Sequence, residues 1–148
     1  MAESAFIVRV PEAEAHVGEL RNRFDASTRL GVPAHITILV PFMSPEQISA
    51  TVLAEVQEVL RQVPAFAFSL SKVARFPATA YLEPEPSHPF IELTEALVRR
   101  FPEFPPFRGE HSSIVPHLTV ASGNASEAAS VAAELKATMR THGPIHSS

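Results

Sequence analysis

Residues 35–42 read HITILVPF, and residues 117–121 read HLTVA. Each stretch opens on histidine-x-threonine and continues in β-branched and other apolar residues, which is typical of a strand. Successive side chains of a strand point to opposite faces, so the histidine and threonine of each stretch project together while the residue between them faces a core. The two predicted pairs are His35 with Thr37 and His117 with Thr119.

Helical and strand-like periodicity divides the rest of the chain into alternating elements. Predicted strands lie at residues 5–10, 35–42, 66–76, 79–82 and 117–121, and predicted helices at residues 12–24, from a cap at Ser44 to Val63, at residues 90–101 and from a cap at Ser126 to Met139. Each motif strand is followed by a capped helix, which resembles a weak internal duplication. The order favours an α+β fold in which one domain, residues 1–148, contains two related β-α halves.

Composition limits the partners that this chain can bind. The 148 residues carry 12 Lys and Arg against 16 Asp and Glu, and no block of basic residues occurs. Long duplex nucleic acid is bound through clustered cations, so the pattern disfavours it and leaves a small nucleotide or an RNA terminus. There is no cysteine, and neither a secretory signal nor an apolar run of membrane-spanning length is present. We therefore expect a cytoplasmic protein that has no membrane association.

The two histidine–threonine pairs have the groups that phosphodiester cleavage requires. If the two halves pack about a pseudo-twofold axis, the pairs face each other across a groove. One imidazole then serves as base and the other as acid, since an unperturbed imidazole has a pKa of about 6.5. The threonine hydroxyls would donate hydrogen bonds to the phosphate oxygens. A single histidine-x-threonine in a strand is usually structural, but two in equivalent settings are much rarer by chance.

Other catalytic arrangements lack their sequence patterns. Neither His-x-His nor HExxH occurs, and Asp25 is the single aspartate, so the sequence predicts no metal site. G-x-S-x-G, GxGxxG and the P-loop pattern are also absent, which disfavours a serine hydrolase and the nucleotide cofactors. We expect no cofactor.

On these motifs the sequence resembles the 2H phosphoesterases, in particular the 2′–5′ RNA ligase-like and cyclic phosphodiesterase branch. The resemblance runs from Ala5 to about Gly143, through HITILVPF, ARFPATAYL and IVPHLTVA. It implies two pseudo-symmetric lobes with antiparallel sheets flanking a central groove. It also implies that His35 and His117 are the catalytic acid and base and that Thr37 and Thr119 bind phosphate.

The implied substrate is a 2′,3′-cyclic phosphate or a 2′–5′ phosphodiester of an RNA end or small nucleotide. Hydrolysis and ligation are one reaction in opposite directions, and both remain open. The alternative is a module that binds nucleotides or RNA ends without catalysis.

Four further residues are candidates for substrate contact. Phe42 follows the first motif and either stacks on a base or packs at the strand end. Arg75 either pairs with phosphate or stays a solvated surface residue. Arg108 and His111, in the long loop before the second motif, either close over substrate or have no part in the chemistry.

The C-terminal end departs from the family pattern. Members usually continue after the last helix with strands that complete the second sheet, whereas this chain ends soon after Gly143. Missing strands predict an open sheet edge beside the strand of His117. That edge would pair with a second copy to form a homodimer, pair with the tail after Gly143, or leave the chain around His117 unusually mobile.

Overall fold

The computed structural model describes residues 3–109 and 114–148, whose strands form one six-stranded antiparallel sheet. The strands are β1 (Ser4–Arg9), β2 (His35–Phe42), β3 (Phe68–Phe76), β4 (Thr79–Glu85), β5 (Leu118–Ser122) and β6 (Ile145–Ser147). Their order across the sheet is β1-β2-β5-β4-β3-β6. The predicted α+β class with antiparallel strands is confirmed, and both motif strands lie side by side inside the sheet.

Five α-helices connect these strands. They are α1 (Glu14–Phe24), α2 (Ala26–Arg29), α3 (Ala50–Leu60), α4 (His88–Arg100) and α5 (Ala125–His142), with short 3₁₀ turns at Pro11–Ala13, Pro45–Gln47 and Pro106–Gly109. Two predicted caps are wrong by a few residues. The Ser49 side chain accepts from the Val52 amide and starts α3, and Asn124 accepts from the Glu127 amide and starts α5. Each provides the side-chain acceptor that the first turn of a helix requires.

The predicted open edge beside the strand of His117 is wrong. β5 is paired on one side with β2 and on the other with β4. The tail after Gly143 forms β6, which pairs with β3 through Ile145 opposite Leu70. Ile145 is buried, so an apolar anchor holds the tail on β3 at the far side of the sheet from the predicted position.

The chain divides into two compact units. The unit that contains most of both motifs comprises Val8–Ile36, Ala67–Pro86 and His117–Ser148, and we call it the motif unit. In it α1 and α5 both pack against β5, and α5 also covers β3 and β4. The buried side chains between these helices and strands include Val17, Leu20, Leu70, Leu82, Leu118, Val131 and Leu135.

The other unit comprises Met1–Ile7, Thr37–Phe66 and Ser87–Pro116, and we call it the second unit. In it α3 packs against α4. The buried hydroxyl of Thr94 on α4 donates to the Ile38 carbonyl at 2.7 Å, which ties the helix to β2. Across both units, no helix in the described part of the chain is long and apolar enough to span a bilayer.

Candidate active site

Strand pairing brings His35 and Thr119 to directly opposite positions in the motif unit. Ile36 of β2 and Leu118 of β5 are antiparallel partners, and both are fully buried. In an antiparallel pair the residues on either side of such partners also face each other, so His35 lies across from Thr119. Because Ile36 and Leu118 point into the core, His35 and Thr119 project from the opposite face, where both are half-buried.

The His35 ring is held by the backbone just before it. Its Nδ1 lies 2.7 Å from the carbonyl oxygen of Pro33. A carbonyl oxygen only accepts, so Nδ1 carries the hydrogen and donates it. In the neutral ring Nε2 then carries the lone pair. This bond fixes both the tautomer and the ring direction, as a general base requires.

A buried arginine positions the segment that supplies this carbonyl. Arg21 of α1 is 2% exposed, and its guanidinium bonds the Asp25 carboxylate at 3.1 Å and the Val32 carbonyl at 3.0 Å. Glu14 lies 3.6 Å from the same guanidinium and accepts from the Ala34 amide at 3.2 Å. These contacts hold the backbone on both sides of Pro33.

Two aromatic rings surround the second motif histidine. The His117 ring centroid is 5.2 Å from that of Tyr81 and 5.4 Å from that of Phe76, the latter in edge-to-face geometry. Phe76 and Tyr81 are 4.6 Å apart. Tyr81 is the strand partner of Thr119, so this aromatic cluster of Phe76, Tyr81 and His117 lies on the same face as Thr119.

The Tyr81 phenol stays protonated at neutral pH. Burial raises its pKa above the usual 10.0, the Glu83 carboxylate raises it further, and the Lys72 ammonium lowers it. Lys72 and Glu83 are themselves paired at 3.4 Å. Tyr81 is therefore a neutral ring that supports its neighbours.

The two imidazoles are diagonal neighbours on this face. His117 lies two residues before Thr119, the residue opposite His35. Diagonal neighbours of a regular antiparallel pair lie roughly 7–8 Å apart.

Comparison with known proteins identifies the family of this chain. Residues 10–146 match the sequence profile of a family described as the 2′-5′ RNA ligase superfamily. The chain belongs to that superfamily. The matched range includes both histidine–threonine motifs, and the mixed α/β architecture is consistent with the 2H phosphoesterase fold.

One relative of known sequence comes from Bacillus cytotoxicus and bears the name "Putative phosphoesterase Bcer98_0945". It is 30% identical over 105 residues, which cover 69% of this chain and 58% of the relative. The chain thus spans somewhat over half the length of that relative.

Thr37, the remaining motif residue of this superfamily member, lies two positions along β2 from His35 and is half-buried. By strand alternation it shares the face of β2 that carries His35. The division into units falls immediately before it, so Thr37 is the first residue of its segment in the second unit.

Phe42 belongs to the core of the second unit. Its ring is 3% exposed and lies 4.7 Å from Phe6, 5.2 Å from Phe101 and 5.0 Å from Phe104. Of the two roles left open by the sequence, the structure favours packing. Stacking on a base stays a prediction that these contacts do not support, because three neighbouring rings surround this side chain.

Arg75 projects from the opposite face to the aromatic cluster. Its strand partner is the buried Ala80, whereas Ala74 is the partner of Tyr81. The guanidinium donates to the carbonyls of Pro77 at 3.1 Å and Ala125 at 3.4 Å. Pairing of Arg75 with phosphate stays a prediction, which the geometry does not favour because alternation along β3 directs the side chain away from His117.

Phe76 was not among the site residues predicted from the sequence, because the register of β3 with β4 is needed to place it. It shares the face of Ala74, the residue opposite Tyr81, and so lies beside the second motif. Of the loop candidates, His111 lies outside the described residues, as does the side chain of Arg108. Within residues 3–109 and 114–148, no group of three or more His, Cys, Asp or Glu side chains is arranged to hold a metal ion.

Proposed function

We propose that this chain is a metal-independent phosphoesterase that acts on a 2′,3′-cyclic phosphate or 2′–5′ phosphodiester of an RNA end or small nucleotide. The observation that carries the proposal is the placement of His35 opposite Thr119, with its Nδ1 bonded to the Pro33 carbonyl. An imidazole of fixed tautomer, an opposing hydroxyl and a second imidazole at a diagonal position are the groups that in-line displacement at phosphorus requires.

In the hydrolytic direction His35 is assigned as the base and His117 as the acid. The Nε2 of His35 takes a proton from water as the water oxygen bonds to phosphorus. The bond from phosphorus to one ring oxygen breaks, and protonated His117 gives its proton to that leaving oxygen. The product is a phosphomonoester. In ligation a ribose hydroxyl of a second RNA end attacks the cyclic phosphate in place of water, with the same base and acid, and the product is a phosphodiester.

The hydroxyls of Thr37 and Thr119 are assigned to the non-bridging oxygens. Each donates one hydrogen bond to an oxygen whose negative charge grows as the phosphorus becomes five-coordinate. The name of the superfamily and the name of the Bacillus cytotoxicus relative support chemistry at a phosphoester.

The first test is hydrolysis of 2′,3′-cyclic nucleotides by the wild type and by His35→Ala and His117→Ala. We expect each variant to lose about 10²–10⁴-fold in kcat, the usual contribution of a general acid or base. His88→Ala is the matched control, since His88 is exposed and its described ion pair is with Glu92 on the same helix. Wild-type activity in either motif variant would count against the mechanism.

The same assay separates the finer assignments. The rate should follow a bell-shaped dependence on pH, because one imidazole must be neutral and the other protonated. A chelator should leave the rate unchanged. Loss of activity with chelator and its return with zinc or manganese would reject a metal-independent reaction. Tight binding of a cyclic nucleotide without turnover would favour the non-catalytic binding module.

A further inference from the structure

An apolar ring lies partly open beside the proposed reaction centre. Phe76, the last residue of β3, is 37% exposed, whereas Tyr81 beneath it is 6% exposed. The Phe76 ring is inclined by 35° to that of Tyr81 and by 87° to that of His117. Two neighbours thus fix its orientation while part of its surface remains accessible.

The backbone that carries Phe76 is anchored on both sides of the hairpin. Phe76 pairs with Thr79 across the turn. The Ala78 carbonyl accepts from the Gly123 amide at 2.9 Å, and Arg75 bonds the Pro77 carbonyl and the start of α5. An aromatic ring on a fixed turn loses little conformational entropy when it binds a ligand.

We propose that Phe76 contacts the nucleobase of the substrate and is a specificity-determining residue of the site. This inference rests on the proposed function. A nucleobase is joined to its phosphate through one ribose, so a phosphate held beside His117 brings the base near the aromatic cluster. Stacking on an aromatic side chain suits every base because each has a π-face.

The net charge of the chain favours base stacking as the source of binding affinity. With a net charge of −4, the protein gains little from general attraction to a polyanion. Stacking does not depend on such attraction. The substrates selected by this cluster are therefore nucleotides or RNA ends, in preference to cyclic phosphates of the same ring size that lack a base.

The test compares two substrates with the same reacting group. Adenosine 2′,3′-cyclic phosphate carries a base, and ribose 2,3-cyclic phosphate does not. For Phe76→Leu we expect KM to rise roughly 5- to 150-fold for the adenosine substrate, the range found when a stacked aromatic is removed. The kinetic constants for the baseless substrate should change less than about twofold, and Phe76→Trp should restore the preference.

Controls separate a base contact from a structural role. Leu53→Ala removes another exposed apolar side chain, on α3, and should affect neither substrate. Equal losses for both substrates in Phe76→Leu would overturn the proposal, because they would mean that Phe76 only supports His117. A Phe76→Leu variant unchanged on both substrates, or one that differs from wild type only in oligomeric state by light scattering, would overturn it as well.

Failure of the proposed function can be distinguished from failure of the base contact. If the wild type turns over neither substrate, calorimetry with the same two compounds still decides the base contact. Tighter binding of the adenosine compound that is lost in Phe76→Leu supports the contact. Equal affinity for the two compounds overturns it.

Discussion

The two histidine–threonine motifs have the same tripeptide pattern but different surroundings. His35 is held through polar contacts: the Pro33 carbonyl bonds its ring, and the buried Arg21 bonds the backbone nearby. His117 packs against the rings of Phe76 and Tyr81. A hydrogen bond to a carbonyl specifies which ring nitrogen bears the proton, and an aromatic contact restricts where the ring lies.

The proposed roles of base and acid fit this difference between two residues that the sequence presents as equivalent. A base must offer a lone pair in a fixed direction, and the Nδ1 contact of His35 provides that. A residue beside exposed aromatic surface can help to select the substrate as well as to transfer a proton. In the proposed mechanism the motifs supply the reacting groups, and the neighbouring residues distinguish their roles.

The largest change in the free energy of unfolding should come from Arg21→Met, which removes the polar contacts that hold the segment before the first motif. The substitution leaves the buried Asp25 carboxylate and the Val32 carbonyl without their guanidinium partner. Breaking a buried pair in this way typically costs about 3–5 kcal/mol of unfolding free energy. Urea unfolding monitored by circular dichroism measures it.

A matched control is Arg61→Met, which breaks the exposed ion pair of Arg61 with Glu58. Exposed pairs contribute about 0–1 kcal/mol. Equal unfolding free energies for the two variants would show that the Arg21 network does not stabilise the segment before His35. Polar contacts would then no longer distinguish the surroundings of the first motif from those of the second.

The sequence predicted the strands of this fold better than the contacts that hold the motif residues in place. The first motif strand was predicted with the bounds that the structure has, His35–Phe42, because β-branched and other apolar residues fill positions 36–40 and a proline and a phenylalanine follow them. Arg21 was not singled out. Its partners Asp25 and Val32 become neighbours only when the chain folds back after α1, and periodicity carries no information about such a turn.

Long-range pairing explains the other differences. The tail after Gly143 is too short to show periodicity, yet Ile145 finds an apolar position opposite Leu70. Arg75 and Phe76 are adjacent in sequence, and only the register with β4 determines which of them faces the second motif. Roles that depend on strand register were therefore beyond a reading of residue types and spacings.

Removal of either threonine hydroxyl should have an intermediate effect on kcat/KM, and the effect should be similar in the two motifs. Thr37→Val and Thr119→Val keep the side-chain shape and remove the donor. A hydrogen bond to a charged group contributes about 1.5–3 kcal/mol, so kcat/KM for a 2′,3′-cyclic nucleotide should fall roughly 10- to 150-fold in each. Thr37→Ser and Thr119→Ser should stay within a few-fold of wild type. A loss confined to one valine variant would extend the asymmetry of the imidazoles to the hydroxyls.

The smallest effect concerns Tyr81, the support of the second motif, and appears only at alkaline pH. Because burial and Glu83 raise its pKa in the folded state, the phenol remains protonated in the folded protein over a pH range in which it ionises in the unfolded chain. The unfolded state then binds fewer protons, so the unfolding free energy falls as pH rises above about 10. Below that pH both states hold the proton, and this group contributes no slope.

Tyr81 is the single tyrosine, and the chain has no tryptophan, so phenolate absorbance reports on this side chain alone. The folded protein should titrate at higher pH than the urea-unfolded chain. Tyr81→Phe should remove part of the decline in unfolding free energy above pH 10, and Glu83→Gln should reduce the difference between the folded and unfolded titrations, since it removes the second cause of the shift. Identical folded and unfolded titration curves would mean that the ring is accessible to water. A solvated Tyr81 would not support the rings of Phe76 and His117. Aromatic packing would then no longer distinguish the second motif from the first.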